Sequence, residues 1–404
     1  YSTDRAFDTS VRHITKGQLD FGMCLDANEQ ERPSDVLSVR FHPHSDLLAA
    51  LGSDRTVRLF QVPSNNGNNG SSSTAGDRSV LVDRFVASDD SDRIVNNKRR
   101  KKKRRDVSSG HSFMNGGGAS VNSMEFTADG LELIMTAPNT RAFFVCDMTT
   151  GESRIVSNLV HRIAGVNQGA KRGRTIQVDD SLLPMIRCSS NNELIAIGCA
   201  NNSVELLSRE SKFSVGQLVM NDPVRAIEFS QDSLTLYAAT KSGKVYLWDL
   251  RQQRPRHVFQ DEGSIDTTSI SIFDSVAKSR IACGSNSGVV NLYDLDHVQS
   301  ARDPKPLKSL MNLTTSVSRT QFSKDGKLLC IASKDKVNAV KMVHVESMSV
   351  YPHFPYQPSA NTAHQMTVTD FHFNSNSQYL ALSTGPRVRL FQFPYYAQSS
   401  TGLQ

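Results

Sequence analysis

The residues best suited to chemistry in this chain form one unbroken run of eight cations. The run consists of Lys98, Arg99, Arg100, Lys101, Lys102, Lys103, Arg104 and Arg105. Eight adjacent positive charges create a dense positive potential, which can displace counterions from RNA or act as a nuclear import signal without a fixed conformation. Phosphate contacts carry no sequence information, so the run predicts RNA binding or import without base specificity. The alternative interpretation is a solvated loop with no partner.

A second, weaker basic segment contains Lys171, Arg172 and Arg174, and a merely solvated loop explains it equally well. The chain has 46 Lys and Arg against 40 Asp and Glu, which gives a net charge of +6. Without the eight-residue run the count is 38 against 40. The basic character therefore belongs to that run, and the rest of the chain is close to neutral.

No catalytic or cofactor-binding motif is present in the sequence. It contains no GxxxxGK[ST], no GxGxxG that opens a helix and no HExxH. Residues 284–288 have the glycine spacing of a nucleophile elbow, but Asn286 stands where serine is needed, so we interpret them as a turn between strands. His42, His44 and His372 lie beside predicted strands, where a hydrogen-bonded structural role is favoured over metal binding or catalysis. We therefore predict a protein that is not an enzyme and that holds no metal or cofactor.

The composition excludes several other classes of protein. With 38% hydrophobic and 21% charged residues, the chain is too apolar to be disordered throughout. It contains no stretch of about 18 apolar residues, and residues 1–10 contain no apolar signal segment. The six cysteines form no CxxC pair, which indicates buried thiols in a reducing compartment. We expect a globular protein without membrane contact.

The elements that must position the basic residues are short strands that recur along the chain. The clearest unit comprises residues 224–229, 236–240 and 244–249, which are alternating or rich in β-branched and aromatic residues and are separated by polar turns. Seven such units occur, and five successive inner strands carry anchors spaced 41 to 51 residues apart, at Cys188, Phe229, Ile272, Phe322 and Phe373. A blade of the WD type repeats every 40 to 45 residues or so. The sequence therefore predicts an all-β, seven-bladed WD40-type β-propeller.

The domain boundaries follow from this repeat. We expect an N-terminal segment over residues 1–35, the propeller over residues 36–396 and a C-terminal tail over residues 397–404. The seventh blade ends at Phe393 without an outer strand. We expect residues 14–19 to supply it, because a ring closed from both termini hides a sheet edge.

Two polar inserts interrupt the first repeat. The first covers residues 63–78, and the second, which contains the basic run, covers residues 88–119. Both lack the apolar residues that would offset the entropy of ordering, so we expect them to be disordered in the isolated protein.

Four further residues match positions that stabilise WD blades, namely Asp54, Trp248, Asp249 and Asp294. We expect them to act in packing. The segment from Trp248 to Arg251 also matches the WDxR ending of substrate receptors for cullin-type ubiquitin ligases, which is the alternative function. A chance match is favoured, because any WD strand followed by Arg satisfies this pattern.

Several segments carry a likeness to one family. Residues 261–264, 282–293 and 303–313 are the most distinctive, and residues 19–21, 26–28, 38–43 and 244–249 add support. Together they resemble the U3 small nucleolar RNA-associated protein 18 family, over most of the chain from about residue 14 to 396.

The resemblance implies a nuclear, nucleolar and non-catalytic scaffold in the UtpB module of the small-subunit processome, which processes the precursor of 18S ribosomal RNA. Its implied partners are other WD-repeat and helical-repeat UtpB subunits, pre-18S rRNA and U3 snoRNA, without homo-oligomerisation. It also implies an exosome-associated RNA helicase, recruited through a short motif ahead of the propeller, and we recognise no such motif before Leu19. The basic run has no counterpart in the resemblance, so its role is inferred from its charge.

Overall fold

The predicted propeller is confirmed by a computed structural model that describes residues 14–29, 35–63, 79–86, 121–138, 140–164, 185–275, 278–355 and 366–399. These residues form seven antiparallel sheets of four strands each. The inner strand of every sheet contacts the inner strands of the sheets before and after it, so the seven sheets close into a ring. The helices within these ranges are too short and too polar to cross a membrane.

The strands are numbered in chain order, and β1 spans Gly22–Met23. Blade 1 consists of β2 (Val36–Phe41), β3 (Leu47–Gly52), β4 (Thr56–Gln61) and β5 (Val80–Val86). Blade 2 consists of β6 (Ser123–Phe126), β7 (Glu132–Thr136), β8 (Phe143–Asp147) and β9 (Ser153–Val156). Blade 3 consists of β10 (Ile186–Cys188), β11 (Leu194–Cys199), β12 (Ser203–Ser208) and β13 (Ser214–Val219). Blade 4 consists of β14 (Val224–Phe229), β15 (Thr235–Thr240), β16 (Lys244–Asp249) and β17 (Arg254–Gln260).

Blade 5 consists of β18 (Thr267–Phe273), β19 (Arg280–Ser285), β20 (Val290–Asp294) and β21 (Lys308–Leu310), with helix α1 (Leu295–Ser300) between the last two. Blade 6 consists of β22 (Arg319–Phe322), β23 (Leu328–Ala332), β24 (Val340–His344) and β25 (Ser349–Val350). Blade 7 consists of β26 (Val368–Phe373), β27 (Tyr379–Thr384) and β28 (Arg387–Gln392), and helix α2 (Pro394–Ser399) follows it.

The apolar core lies between the blades. Seven clusters of buried side chains fill the seven gaps between neighbouring sheets. A middle strand such as β3 is buried on both faces, because each face packs against a different blade, so its sequence is an almost continuous apolar run. Burial of one large apolar side chain contributes about 1.5–3 kcal/mol, so the sum over seven gaps holds the ring rigid.

Residues 284–288 form the turn between β19 and β20, as the sequence predicted. Gly288 has φ +87°, and its N–H donates to the Ser285 carbonyl oxygen at 3.1 Å. A Cβ at this position would lie 2.6 Å from the Leu313 carbonyl oxygen, so glycine is required here for space as well as for conformation. The glycine spacing thus serves a tight turn.

The outer strand of blade 7 is β1, and the prediction that residues 14–19 supply it was wrong. Gly22 pairs with Gln392, and Met23 pairs with Phe391. Residues 14–19 instead turn at Gly17, which has φ +87°, and Thr15 bridges Gln18 across that turn. A chain that turns back within four residues cannot extend along a sheet edge.

Apolar docking fixes the position of β1. Phe21, directly before it, has its ring 5.3 Å from the ring of Phe354 and 6.1 Å from that of Phe391. Ile14 and Leu19 pack against the same cluster between blades 6 and 7. The N-terminal segment is therefore anchored by side-chain burial, and a strand of two residues suffices.

Replacing Phe21 with Ala should lower the free energy of unfolding by about 2 kcal/mol, since the ring is only partly buried and a fully buried Phe would lose about 3–5 kcal/mol. The change should also expose the N-terminal segment to limited proteolysis. Urea unfolding and protease digestion measure the two effects, with exposed Asp20→Ala as the matched control. Unfolding of Phe21→Ala at the wild-type urea midpoint would show that this anchor contributes nothing.

Candidate interaction face and central channel

We call the face of the disc on which the inner strands begin the upper face. Blade 1 ends on this face, because Val86 pairs with Thr56, the first residue of β4. The chain is next described from Val121, just before the inner strand of blade 2. Residues 98–105 themselves lie outside the described residues. The insert that carries the basic run is thus attached to the upper face at both of its ends.

The second basic segment is attached to the same face. Lys171, Arg172 and Arg174 also lie outside the described ranges. Before them, Ile163 bridges Cys199 at the upper end of β11, and after them the chain resumes at the start of blade 3. The two basic segments therefore leave the upper face on either side of blade 2.

The central channel is bordered by charged side chains of alternating sign, one from each of six successive blades. They form five ion pairs, which link blade 6 through blade 7 and blade 1 to blade 4. The pairs are Arg319 with Asp370 at 3.0 Å, Asp370 with Arg40 at 2.6 Å, Arg40 with Glu125 at 3.1 Å, Glu125 with Arg187 at 3.5 Å, and Arg187 with Glu228 at 2.8 Å. Such shared pairs keep each buried charge compensated and hold the inner strands in one register.

Asp370 is the most strongly perturbed carboxylate of this chain of ion pairs. Burial by itself would raise its pKa, but the charges of Arg319 and Arg40 and a hydrogen bond from Ser38 lower the pKa to about 2. Asp370 is therefore ionised at every physiological pH. Its ionisation is needed, because a neutral Asp370 would leave two buried guanidinium groups without compensation.

These six residues were not predicted from the sequence. A local signal exists, because in four successive blades the residue directly before the inner-strand anchor is charged, and the sign of the charge alternates. These residues are Arg40, Glu125, Arg187 and Glu228. Blades 5, 6 and 7 have Ser271, Gln321 and His372 at the equivalent position, so the pattern stops there. Asp370 and Arg319 reach the channel from a position two residues earlier in their inner strands than His372 and Gln321. Only the structure shows that they meet the other charges there.

The three histidines that the sequence singled out make hydrogen bonds, as expected for a structural role. His42 Nε2 lies 3.1 Å from the Gly130 carbonyl oxygen, and His44 Nε2 lies 2.8 Å from that of Ala128, which fastens blade 1 to blade 2. His372 Nδ1 accepts from a backbone N–H of blade 1 at 3.2 Å. Across the described ranges, no cluster of three His, Cys, Asp or Glu side chains can hold a metal ion.

Desolvation and the neighbouring Arg40 and Arg319 charges hold the pKa of His372 well below its usual value. The imidazole is therefore neutral at physiological pH, with Nδ1 free to accept. This neutral state suits a channel that already contains four arginines in ion pairs, Arg40, Arg187, Arg225 and Arg319.

The four predicted WD-blade positions make local contacts. Asp54 pairs with Arg58 at 2.8 Å, and this hydrogen bond is the main cause that lowers the pKa of Asp54. Asp249 accepts the backbone N–H of Arg251 at 2.9 Å in the turn after β16. Asp294 accepts from the Asp296 N–H at 3.2 Å and caps α1.

Trp248 is buried and stacks on Tyr246, with 6.4 Å between ring centroids and an interplanar angle of 20°. Its Nε1 has no hydrogen-bond partner among the described residues. Arg251, the last residue of the WDxR match, is exposed at the lower end of blade 4. Exposure alone does not distinguish a receptor from any other WD protein.

A buried polar cluster between blades 4 and 5 was also not predicted from the sequence. The carboxylate of Asp261 accepts from Asn291 Nδ2 at 2.8 Å and from the Tyr293 hydroxyl at 2.7 Å. Burial raises the pKa of Asp261, although these hydrogen bonds oppose the rise. The cluster joins β17 to the third strand of the next blade, so its role is structural.

Comparison with known proteins agrees with this fold. The family model "WD domain, G-beta repeat" matches residues 27–61 and 214–249. A human protein named U3 small nucleolar RNA-associated protein 18 homolog is 29% identical over 378 residues, which cover 93% of this chain and 57% of that protein. A homolog of the same name from Arabidopsis thaliana is 25% identical over 385 residues, 95% of this chain and 59% of the relative.

The U3 small nucleolar RNA-associated protein 18 of Saccharomyces cerevisiae is 31% identical over 178 residues, 40% of this chain and 29% of that protein. The chain spans less than two thirds of the length of these curated relatives. The human and plant alignments cover 93% and 95% of this chain, so the likeness extends well beyond the two segments that the WD family model matches. With its seven-bladed WD-repeat ring, the chain resembles the U3 small nucleolar RNA-associated protein 18 homologues over almost its whole length.

Proposed function

We propose that this protein is a non-catalytic scaffold of the small-subunit processome, in which it supports the processing and assembly of pre-18S rRNA in the nucleolus. The names of the relatives, which associate them with U3 small nucleolar RNA, support this role. The structural observation that carries the proposal is the attachment of both basic segments to one face of a rigid ring. A rigid disc is suited to holding several partners in a fixed relation.

In this proposal the upper face contacts RNA. The run from Lys98 to Arg105 binds phosphates of pre-18S rRNA or U3 snoRNA, and the weaker segment with Lys171, Arg172 and Arg174 adds to it. Because the two segments flank one blade, they can engage the same RNA together, and each raises the effective concentration of the other. The same cations can direct nuclear import before assembly.

The rim and the lower face bind protein partners in this proposal. We propose that these partners are the WD-repeat and helical-repeat subunits of UtpB. The outer strands of blades 1 and 3 support this arrangement. Val80 and Val82 on β5 are 55% and 59% exposed, and Val215 and Val219 on β13 are 54% and 60% exposed. Apolar side chains on an unpaired sheet edge are the kind of surface that a protein partner covers.

Depletion of this protein from its own cells should reduce mature 18S rRNA and leave the large-subunit rRNA species largely intact. Northern blotting of both precursor series measures the effect, and re-expression of the wild-type chain should restore 18S. Re-expression of a variant with the eight basic residues changed to Gln should restore it less well. Normal 18S maturation after depletion would disprove the proposed function.

Affinity purification of the intact protein separates this function from the alternative. U3 snoRNA and pre-18S rRNA should co-purify with it after stringent washing. Recovery of a cullin adaptor in place of these RNAs, together with its loss on Arg251→Ala, would instead establish a ubiquitin ligase receptor.

A further inference from the structure

The chain of channel ion pairs is interrupted at blade 5. Arg225 and Asp266 form a further ion pair, which links blade 4 to blade 5 at 2.8 Å. Between blades 5 and 6 no ion pair borders the channel among the described residues, although Lys278 and Glu346 pair at 2.9 Å on the exposed outside. Blade 5 has serines where other blades have charges, namely Ser269 and Ser271.

Buried polar atoms without partners collect at this junction. The hydroxyls of Ser269, Ser271 and Thr320 have no hydrogen-bond partner within the described part of the chain, and each residue is only 5% exposed. Thr320 stands where the neighbouring inner strands carry apolar side chains such as Ile270 and Phe371. A buried hydroxyl left unsatisfied costs about 1–3 kcal/mol, so three of them at one junction indicate a missing partner.

The inner strand of blade 6 also carries a guanidinium group, directed towards blade 7, that is only half satisfied. Arg319 donates through Nη1 to Asp370 Oδ1, but its buried Nε has no acceptor among the residues described. The other carboxylate oxygen, Asp370 Oδ2, is already engaged by Ser38 at 2.7 Å and by Arg40 at 2.6 Å. A further acceptor for Arg319 must therefore come from outside this chain of ion pairs.

The electrostatics favour a negative partner. Desolvation and the positive charge of Arg40 lower the pKa of Arg319 to about 10, even though Asp370 opposes the shift. Arg319 is thus the undercompensated cation at the end of the alternating chain. The positive charge of Arg319 favours an anion over a cation as the partner of its Nε.

A cavity is available at this place. It has a volume of about 100 Å³ and lies at the upper mouth of the channel. Its wall is formed by residues of all seven blades, among them Ser269, Thr320, Arg319 and Asp370. Gly284 makes room for the hydroxyl of Ser269, because a Cβ on Gly284 would lie 2.3 Å from that oxygen. The cavity admits a small ion and is too small for a nucleoside.

We propose that the channel mouth between blades 5 and 6 binds a small tetrahedral oxyanion, phosphate, through Arg319 and the hydroxyls of Ser269 and Thr320. The guanidinium N–H and the two hydroxyls supply hydrogen bonds, so the oxyanion satisfies Arg319 Nε, Ser269 and Thr320 at once. The ion adds a charged link between blades 5 and 6 to the hydrogen bond that Thr268 Oγ1 donates to the Val317 carbonyl oxygen at 2.5 Å. The site therefore closes the polar ring round the channel, and it does not depend on the proposed role in rRNA processing.

Inorganic phosphate should bind the full-length chain in phosphate-free buffer at constant ionic strength. Isothermal titration calorimetry measures the affinity, and the Tm should rise with the logarithm of phosphate concentration, while chloride at the same ionic strength has no such effect. A structure determined in phosphate should contain the ion beside Arg319. Absence of specific binding at matched ionic strength would overturn the proposal.

Two variants test the ligands. Arg319→Gln should weaken phosphate binding at least tenfold, because it removes a hydrogen bond from a charged donor. The double variant Ser269→Ala with Thr320→Val should weaken it about 5- to 30-fold, the equivalent of one to two neutral hydrogen bonds. The control is Arg254→Gln, an exposed arginine on the rim of blade 4, which should bind as the wild type does.

The double variant keeps the test decisive if Arg319→Gln does not fold. Without phosphate it should be at least as stable as the wild type, since it removes two unsatisfied buried hydroxyls. A double variant that binds phosphate with wild-type affinity would disprove the assignment of these hydroxyls, and with it the site.

A final comparison identifies the source of the phosphate group. A ribo-oligonucleotide with a 5′-phosphate and the same oligonucleotide with a 5′-hydroxyl are titrated into the wild type and the double variant. If the 5′-phosphate raises the affinity of the oligonucleotide for the wild type but not for the double variant, the result supports the terminal phosphate of RNA as the occupant. Equal affinities of the two oligonucleotides, with inorganic phosphate still bound, support the free ion.

Discussion

Replacing Asp370 with Ala is expected to lower the free energy of unfolding by about 3–5 kcal/mol, because it leaves buried charges without compensation. Asp370 pairs with Arg40 at 2.6 Å and with Arg319 at 3.0 Å, and both arginine side chains are largely withdrawn from water. Without the carboxylate, three blades lose their link at the channel. Urea unfolding of the two proteins at neutral pH measures the difference.

The matched control is Asp303→Ala, which removes an exposed carboxylate between α1 and β21 and should change the stability by less than about 0.5 kcal/mol. A double change of Asp370 and Arg40 to neutral residues should cost less than the sum of the single changes, because the two groups are coupled. Equal unfolding midpoints for Asp370→Ala and the control would contradict a stabilising role for the ion pairs.

The contribution of Asp370 should also depend on pH. Its pKa is lowered to about 2 in the folded protein, whereas an unfolded Asp titrates near 3.9. The unfolded state therefore binds a proton first as the pH falls, and the stabilisation, fully present above about pH 4, is lost progressively towards pH 2. Urea midpoints of the wild type and Asp370→Ala should converge over this range.

Changing all eight residues from Lys98 to Arg105 to Gln should reduce the affinity for single-stranded pre-18S rRNA by at least about 100-fold near 0.1 M salt. Each phosphate contact contributes about 0.7 to the slope of log affinity against log salt, so loss of all eight contacts would flatten the slope by up to about 6. The variant should also accumulate less in the nucleus if the run acts in import. Filter binding across a salt series and imaging of the cells measure these effects.

A variant in which all eight residues are Lys is the matched control, because it keeps the charge and changes only the side chains. It should bind RNA nearly as the wild type does, since phosphate contacts at a run of this kind depend mainly on charge. Replacing Lys171, Arg172 and Arg174 with Gln should have a smaller effect of the same kind. Wild-type RNA affinity and nuclear accumulation in the eight-Gln variant would leave the run as a solvated loop.

The blades themselves were predictable from the sequence because their determinants are local. In blade 4, period-two alternation and Ser, Asp or Gly turns mark the strands at 224–229, 236–240 and 244–249, and the structure has strands at all three places. The turn at 284–288 was predictable for the same reason, since a short glycine-bounded polar segment between two apolar runs has few other conformations.

The closing strand was predicted at the wrong residues because nothing local marks it. Gly22–Met23 has only two residues, and its position depends on Phe21, which packs on Phe354 and Phe391 from the far end of the chain. Burial of an aromatic side chain in a groove between blades 6 and 7 decides which residues reach the sheet edge. Such a groove exists only once the ring has formed.

The amino-acid sequence alone determined the number and type of the blades, the near-neutral propeller and the single dense run of cations, because periodicity, turn chemistry and charge are properties of neighbouring residues. The tertiary structure decided which charges meet. Arg40 and Asp370 are 330 residues apart in the chain and 2.6 Å apart in the channel. Ring closure also placed the described ends that flank both basic segments on one face. It left Arg319 Nε without a partner among the described residues, because these features depend on contacts between blades.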